Sequence, residues 1–319
     1  MARLIRIVLL AALVAATIPC LAQEKGRFER QLRERVVVET DVEYGKAGDM
    51  PLLLDVIKPK AVAENGKPKP LVVWIHGGAW QSGDKSSGLP RLGLWVAQGD
   101  YVGISVGYRL SGVATWPAQI HDCKAAIRWI RANADKLGID PDKIGVWGSS
   151  AGGHLVSLLG TSSDIKALEG SNGNPGVSSQ VACVVDYCGP SDFLLFARSG
   201  ASAANANGPI SKLLGGPVSD REAAAREASP VTYVTKDDPP FLVVHGTADR
   251  TVPFAQGEKF YEKLKAASVD ATFVKMDGGG HGIGGPEITA RAKAFFDKHL
   301  LGKTVEVSGE AIRVEEGKQ

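Results

Sequence analysis

Cysteine is scarce, with four in 319 residues, and one of them, Cys20, falls in the leading apolar run. Cys123, Cys183 and Cys188 remain. No CxxC or CxxH pair occurs, so a thiolate–imidazole metal cluster is excluded and no metal site is expected. Five residues of extended chain span roughly 16 Å, too far for a disulfide between Cys183 and Cys188. These two read as small buried hydrophobes, and pairing of Cys123 with either stays open. An excess of either charge is also missing: 37 Lys and Arg face 35 Asp and Glu, for a formal charge of +2. That balance provides no basic footprint for nucleic acid. No segment recurs with a period of tens of residues, which excludes a repeat architecture.

Long apolar runs are likewise few. "MARLIR" carries Arg3 and Arg6, "IVLLAALVAATIPCLA" is apolar or small, and "QEKGRFER" turns polar. The run is short for a membrane span, which needs about 20 residues. It is expected to be a signal peptide over 1–22, cleaved after Ala22, with an uncleaved anchor as the alternative. Pro19 directly before Cys20 argues against a lipid-modified cysteine. Loss of 1–22 removes Arg3 and Arg6 and no acid, so the formal charge falls from +2 to 0. The expected destination is periplasmic or extracellular, with no stable membrane span after cleavage.

The rest of the chain alternates strand and helix patterns. "RVVVETDVEYG" and "MPLLLDVIKPK" read as strands, the second stopped by Pro59. "LVVWI" (71–75) is short and wholly apolar, as in a strand buried on both faces. Further strands are expected at 101–106, 143–147, 181–187, 241–246 and 271–276. Helices are expected near 87–98, over 117–138 ending at Gly138, over 151–160, after 254 and over 287–301. This alternation predicts an α/β fold: a mostly parallel central sheet flanked by helices. One domain is expected over 23–302. Residues 161–180 read as loop. Residues 189–230, rich in Gly, Ala, Ser and Pro, read as a lid-like insertion or a plain surface excursion. Residues 303–319 read as a loosely held polar tail.

Two segments match G-x-S-x-G. In Gly103-Ile104-Ser105-Val106-Gly107 the serine lies mid-strand, and nothing there turns into a helix. Gly148-Ser149-Ser150-Ala151-Gly152 sits between a strand and a helix, the setting of a nucleophile elbow. There the neighbours must be small because strand and helix pack closely, and the turn lifts Ser150 Oγ above the sheet. The Ala151 N–H would stand at a helix N-terminus, suited to an oxyanion.

A serine hydroxyl needs a base, and the base needs an orienting acid. In a strand–turn–helix elbow these follow in the order serine, acid, histidine. His76 and His121 precede Ser150; His154 lies one turn into the elbow helix; His299 falls on the last helix. His245 precedes the best acid. His281, in "GGGHGIGG" after a strand, remains as the base. Asp249, in "HGTADRTVP", is the expected acid, with Asp186 and Asp192 as runners-up. "WIHGGAWQSGD" offers a second oxyanion donor from Gly77 or Gly78, with Ala79 also in reach; His76 would anchor that loop. Trp80 would either wall the acyl group or pack the loop.

"HGGAW", "YRL", "GSSAGGH", "HGTADRTVP" and "GGGHG" together resemble the α/β-hydrolase superfamily over about residues 35–300. The chain is similar to hormone-sensitive-lipase-like carboxylesterases, and more so to bacterial secreted feruloyl and acetyl-xylan esterases. The resemblance implies serine ester hydrolysis without a cofactor, on an ester such as an acylated polysaccharide. "HGGAW" replaces the "HGGG" of the lipase-like group. "HGG-x-W" also resembles kynurenine formamidases, so an arylformamidase or small-molecule carboxylesterase is the first alternative. "HGTADRTVP" also resembles prolyl-oligopeptidase catalytic domains, but those usually carry an aromatic where this chain has Ala151, and a large propeller domain for which there is no room here. A non-catalytic carbohydrate-binding relative is the second alternative and would require a broken triad.

Overall fold

The computed structural model of the protein describes residues 26–60 and 67–314. The expected signal segment, 1–22, lies outside the described residues. Among the described residues no helix is long and apolar enough to cross a membrane. In chain order the larger elements are α1 (26–35), β1 (Val36–Ala47), β2 (Met50–Pro59), β3 (Lys69–Ile75), α2 (Gly88–Ala97), β4 (Val102–Val106), α3 (Ala118–Ala132), α4 (Ala134–Leu137), β5 (Ile139–Ser149), α5 (Ala151–Thr161), β6 (Cys183–Tyr187), α6 (Phe193–Arg198), α7 (Pro209–Leu214), α8 (Glu222–Glu227), β7 (Phe241–Gly246), α9 (Ala255–Ala266), β8 (Ala271–Asp277), α10 (Pro286–Leu301) and β9 (Ile312–Arg313).

The nine strands among the described residues form one sheet in the order β1-β2-β4-β3-β5-β6-β7-β8-β9. β1/β2 and β2/β4 are antiparallel; every pair from β4/β3 onward is parallel. The "LVVWI" run shows why such a sheet forms. Leu71, Val73 and Ile75 enter the hydrophobic core on one face, and Val72 and Trp74 enter the core on the other. A strand whose side chains all go dry, each contributing about 1.5–3 kcal/mol of burial, belongs in the middle of a covered sheet.

The chain leaves β3 towards β4 on one side of the sheet and leaves β5 towards β6 on the other. The loops after β3 and β5 therefore diverge from adjacent strands, and the crevice between them is where α/β sheets place ligands. The segments after β3, β5, β7 and β8 all emerge at this C-terminal edge.

Three details depart from the sequence reading. The expected helix 117–138 breaks at Asn133, whose side-chain amide donates to the Trp129 carbonyl, giving α3 and the short α4. Residues 189–230, for which no element was expected, form α6, α7 and α8 and send Phe196 and Ile210 towards Ser150. Residues 303–314 are not a loose tail: β9 pairs with β8, and Ile312 packs into the core. A two-residue strand among Glu, Gly and Ser carries too little periodicity to stand out. Residues 161–180 are mainly loop, as expected, pinned by Arg128 and Arg131 to backbone carbonyls. Cys123, Cys183 and Cys188 are free and buried.

Candidate active site

Ser150 sits between β5 and α5 with φ 57° and ψ −121°, a region a non-glycine residue occupies only when its surroundings enforce it. The Ser150 N–H donates to the Tyr187 carbonyl (2.8 Å), and the His154 N–H donates to the Ser150 carbonyl (3.0 Å). The flanking glycines have a steric cause. A Cβ on Gly148 would run into the backbone of Gly152, and one on Gly152 into the carbonyl of Ile75. Strand, turn and helix can meet only if both positions lack a side chain.

The three residues expected to act together are brought together. His281 Nε2 lies 2.9 Å from Ser150 Oγ, and His281 Nδ1 lies 2.7 Å from Asp249 Oδ2. Asp249 Oδ1 accepts from the N–H groups of Thr251 (2.8 Å) and Val252 (2.9 Å). Burial opposes the charge on Asp249, but hydrogen bonds from His245, His281 and the Val252 N–H outweigh it. The carboxyl is held well below the usual carboxylate range. An ionised Asp249 accepts a hydrogen bond from the His281 Nδ1–H, so Nε2 is the ring nitrogen that faces Ser150 Oγ as an acceptor.

The alternatives are otherwise engaged. Asp186 accepts from Ser157 Oγ and the Gly189 N–H, and burial pushes its carboxyl up to about 6. Asp192 caps α6 through the N–H groups of Leu194 and Leu195. His245 is buried behind Asp249; its Nε2 lies 2.9 Å from the Val252 carbonyl and 3.4 Å from Asp249 Oδ2. His76 stacks on Tyr108 at 4.3 Å, the arrangement expected of a loop anchor.

The loop after β3 closes over the elbow. Gly78, Ala79 and Trp80 all have positive φ, at 113°, 53° and 58°. A Cβ on Gly77 would sit 2.7 Å from the Ser149 carbonyl oxygen, so this loop touches the serine turn. The first-turn N–H groups of α5, that of Ala151 included, have no acceptor inside their own helix. Gly77 and Gly78 share one cavity with Ser150, and Ala151 shares another with it.

Trp80 packs between its loop and the insertion and also borders a cavity. Its Nε1–H donates to His154 Nδ1 (3.2 Å), its ring packs on Phe193, and it lines a small cavity beside Ser150. His154 is more than packing, because its Nε2 donates to the Ala228 carbonyl (2.6 Å). Burial lowers its pKa to about 4, so a neutral ring ties the β3 loop to the inserted helices. Sequence reasoning missed this bridge. It also missed Pro190, Phe196 and Ile210, which the insertion sends into the small cavity, and Arg91, which α2 brings to the larger one. Apolar residues scattered in a Gly/Ala-rich stretch were the available signal for the first group; nothing in sequence flagged Arg91.

Two cavities meet at Ser150. One is apolar and about 40 Å³, walled by Trp80, Pro190, Phe196 and Ile210. The other is open and about 730 Å³, lined by Gly77, Gln81, Ser82, Arg91, Thr251 and His281 among others. Cys188, Asp249 and His281 can bring one ligand atom each within 4.8 Å. Asp249 and His281 already bind one another, and burial pushes the Cys188 thiol up, so this cluster does not offer a ready metal cage.

A mostly parallel sheet with a strained serine turn at its C-terminal edge defines an α/β-hydrolase of the serine-esterase class. Residues 54–264 match the BD-FAE family model, and the chain belongs to that family. Esterase LipC of Mycobacterium tuberculosis is 36% identical over 260 residues, which make up 78% of this chain and 62% of that protein. A truncated carbohydrate esterase from gut microbiota has a similar structure, with TM-score 0.75 and 33% identity, covering 84% of this chain and 97% of that one. The esterase Est2 of Thermogutta terrifontis, solved with propionate bound, gives TM-score 0.67 and 26% identity over 84% of this chain and 96% of that one. The chain spans 62%, 53% and 51% of the length of three curated relatives that it matches.

Proposed function

We propose that the protein is a serine carboxylic-ester hydrolase that removes short acyl groups, acetyl foremost, from a polar alcohol of the carbohydrate type. Ser150 Oγ attacks the ester carbonyl while His281 Nε2 takes its proton. Asp249 holds the Nδ1–H tautomer and stabilises the imidazolium. The N–H of Ala151 and those of Gly77 and Gly78 receive the oxyanion. His281 then protonates the departing alcohol, and a water activated by the same residue frees the acid.

The observation that carries this reading is the hydrogen-bonded line Asp249–His281–Ser150, ending where the two unlike cavities meet. The apolar cavity of about 40 Å³ has room for about three water-sized groups. That suits an acetyl or propionyl chain and is too small for a feruloyl group. The open polar cleft suits the alcohol portion. The carbohydrate esterase of similar structure supports the same substrate class. Export to the periplasm or beyond is part of the proposal and rests on the sequence of 1–22.

The test is a hydrolysis panel: acetylated xylan, methyl ferulate, 4-nitrophenyl esters from C2 to C12, and N-formylkynurenine, with Ser150→Ala as blank. Acetate release with a preference for C2 and C3 is expected. Turnover confined to the formamide, or turnover that survives in Ser150→Ala, contradicts the reading.

A further inference from the structure

We infer that Arg91 forms a carboxylate subsite in the larger cleft, so that the preferred alcohol portion of the substrate is an acidic sugar. This rests on the ester-hydrolase reading and narrows it. Arg91 lies on α2 and lines the cavity that also holds Ser150 and His281. Among the described residues no Asp or Glu lines that cavity, and Arg91 is the one permanently charged side chain that does. Among the described residues Arg91 forms no ion pair or hydrogen bond. Its guanidinium lies over the ring of Trp74, with Cζ 5.3 Å from the centroid.

The platform beneath it is fixed. Trp74 is buried, its Nε1–H donates to Ser87 Oγ (3.0 Å), and its ring meets Trp147 edge-on at 5.1 Å. Among the described residues the buried cations Lys124 and Arg128 are compensated by Glu169, and the half-buried Arg109 by Asp122. A guanidinium held on an indole face with its donors free is arranged to receive a planar, two-oxygen anion. The acyl side cannot supply that anion, because the small cavity is walled by apolar groups. The carboxylate therefore belongs to the alcohol, and uronic acids are carbohydrates that carry one.

The experiment compares two esters differing in one group, glucuronic acid and glucose monoacetylated at the same ring position, with 4-nitrophenyl acetate as reference. Wild type is expected to favour the acid in kcat/KM by about tenfold, and 0.5 M salt should reduce that preference. Arg91→Gln should bring the ratio of the two values to about one, and Arg91→Lys should keep part of it. A ratio near one in wild type, or a preference that persists in Arg91→Gln, overturns the inference. Cleavage of acetylglucose and 4-nitrophenyl acetate without acid preference would remove only the role of Arg91. If none of the three esters is cleaved, the ester-hydrolase reading fails and this inference with it.

Discussion

The two sides of Ser150 are built on opposite principles. On one side, Trp80, Phe196 and Ile210 make a dry wall from buried side chains of the β3 loop and the inserted helices. On the other, Gln81, Ser82 and Arg91 border an open cleft with exposed or half-exposed polar groups. A closed apolar pocket selects by volume, since each extra methylene must be accommodated in fixed packing. An open polar cleft selects by charge and hydrogen bonding. Under the proposed function, the difference assigns acyl length and alcohol identity to separate parts of the chain, which should then be separable by mutation.

The largest expected effect abolishes both sides at once. Ser150→Ala should lower kcat on every ester by about 10⁴-fold or more while the thermal unfolding midpoint stays near wild type. Asp249→Asn should follow, at about 10⁴-fold in kcat, because the asparagine amide can present an N–H to His281 Nδ1 and so favour the wrong tautomer. A near-wild-type rate in either variant would detach the hydrogen-bonded line from the chemistry.

A smaller effect sharpens the acyl side. Ile210→Ala enlarges the small cavity and should raise the kcat/KM ratio of C6 to C2 esters by about tenfold, at about 0.8 kcal/mol per methylene accommodated. The price is a loss of stability of about 2–5 kcal/mol, read by denaturant titration. An unchanged chain-length profile would mean that acyl groups bind elsewhere.

The last effect, on stability alone and with no loss of activity expected at neutral pH, concerns the tie between the β3 loop and the insertion. Burial lowers the folded pKa of His154 to about 4, below the roughly 6.5 of an exposed histidine. Its neutral form therefore contributes stability above pH 6.5, and the contribution is lost as pH falls from about 6.5 towards 4. Asp186, raised to about 6, acts in the opposite sense over part of that range, so the comparison must be between variants. His154→Gln should lose less stability than wild type over this window, by up to about 3 kcal/mol. Equal losses would show that His154 titrates as an exposed histidine.

Much of the frame was legible from sequence because its causes are local. The wholly apolar 71–75 run, the small residues around Ser150 and the Gly-rich loop at His281 each obey short-range rules. Strand order then carried them to one edge. Asp249 was legible by its position after a strand. What stayed hidden depends on distant pairs. The His154–Trp80 contact spans 74 residues, and Arg91 matters only because Trp74 lies beneath it. Within 189–230 no element stood out, because α6 and α7 are single short turns fixed by tertiary packing of Phe193, Phe196 and Ile210, whereas α8 has a helix-favouring Glu-Ala-Ala-Ala-Arg-Glu run too short to be decisive. Strain followed the site as well: of six non-glycine residues with positive φ among the described residues, Ala79, Trp80, Ser150 and Cys188 lie at or beside it.

The most direct test of the central claim is covalent trapping of the folded protein with an organophosphate ester, read by intact mass and peptide mapping. The account predicts one adduct per chain, on Ser150, absent in Ser150→Ala and formed much more slowly in an alanine variant of His281. An unlabelled folded protein, or an adduct that persists when Ser150 is replaced, would contradict it.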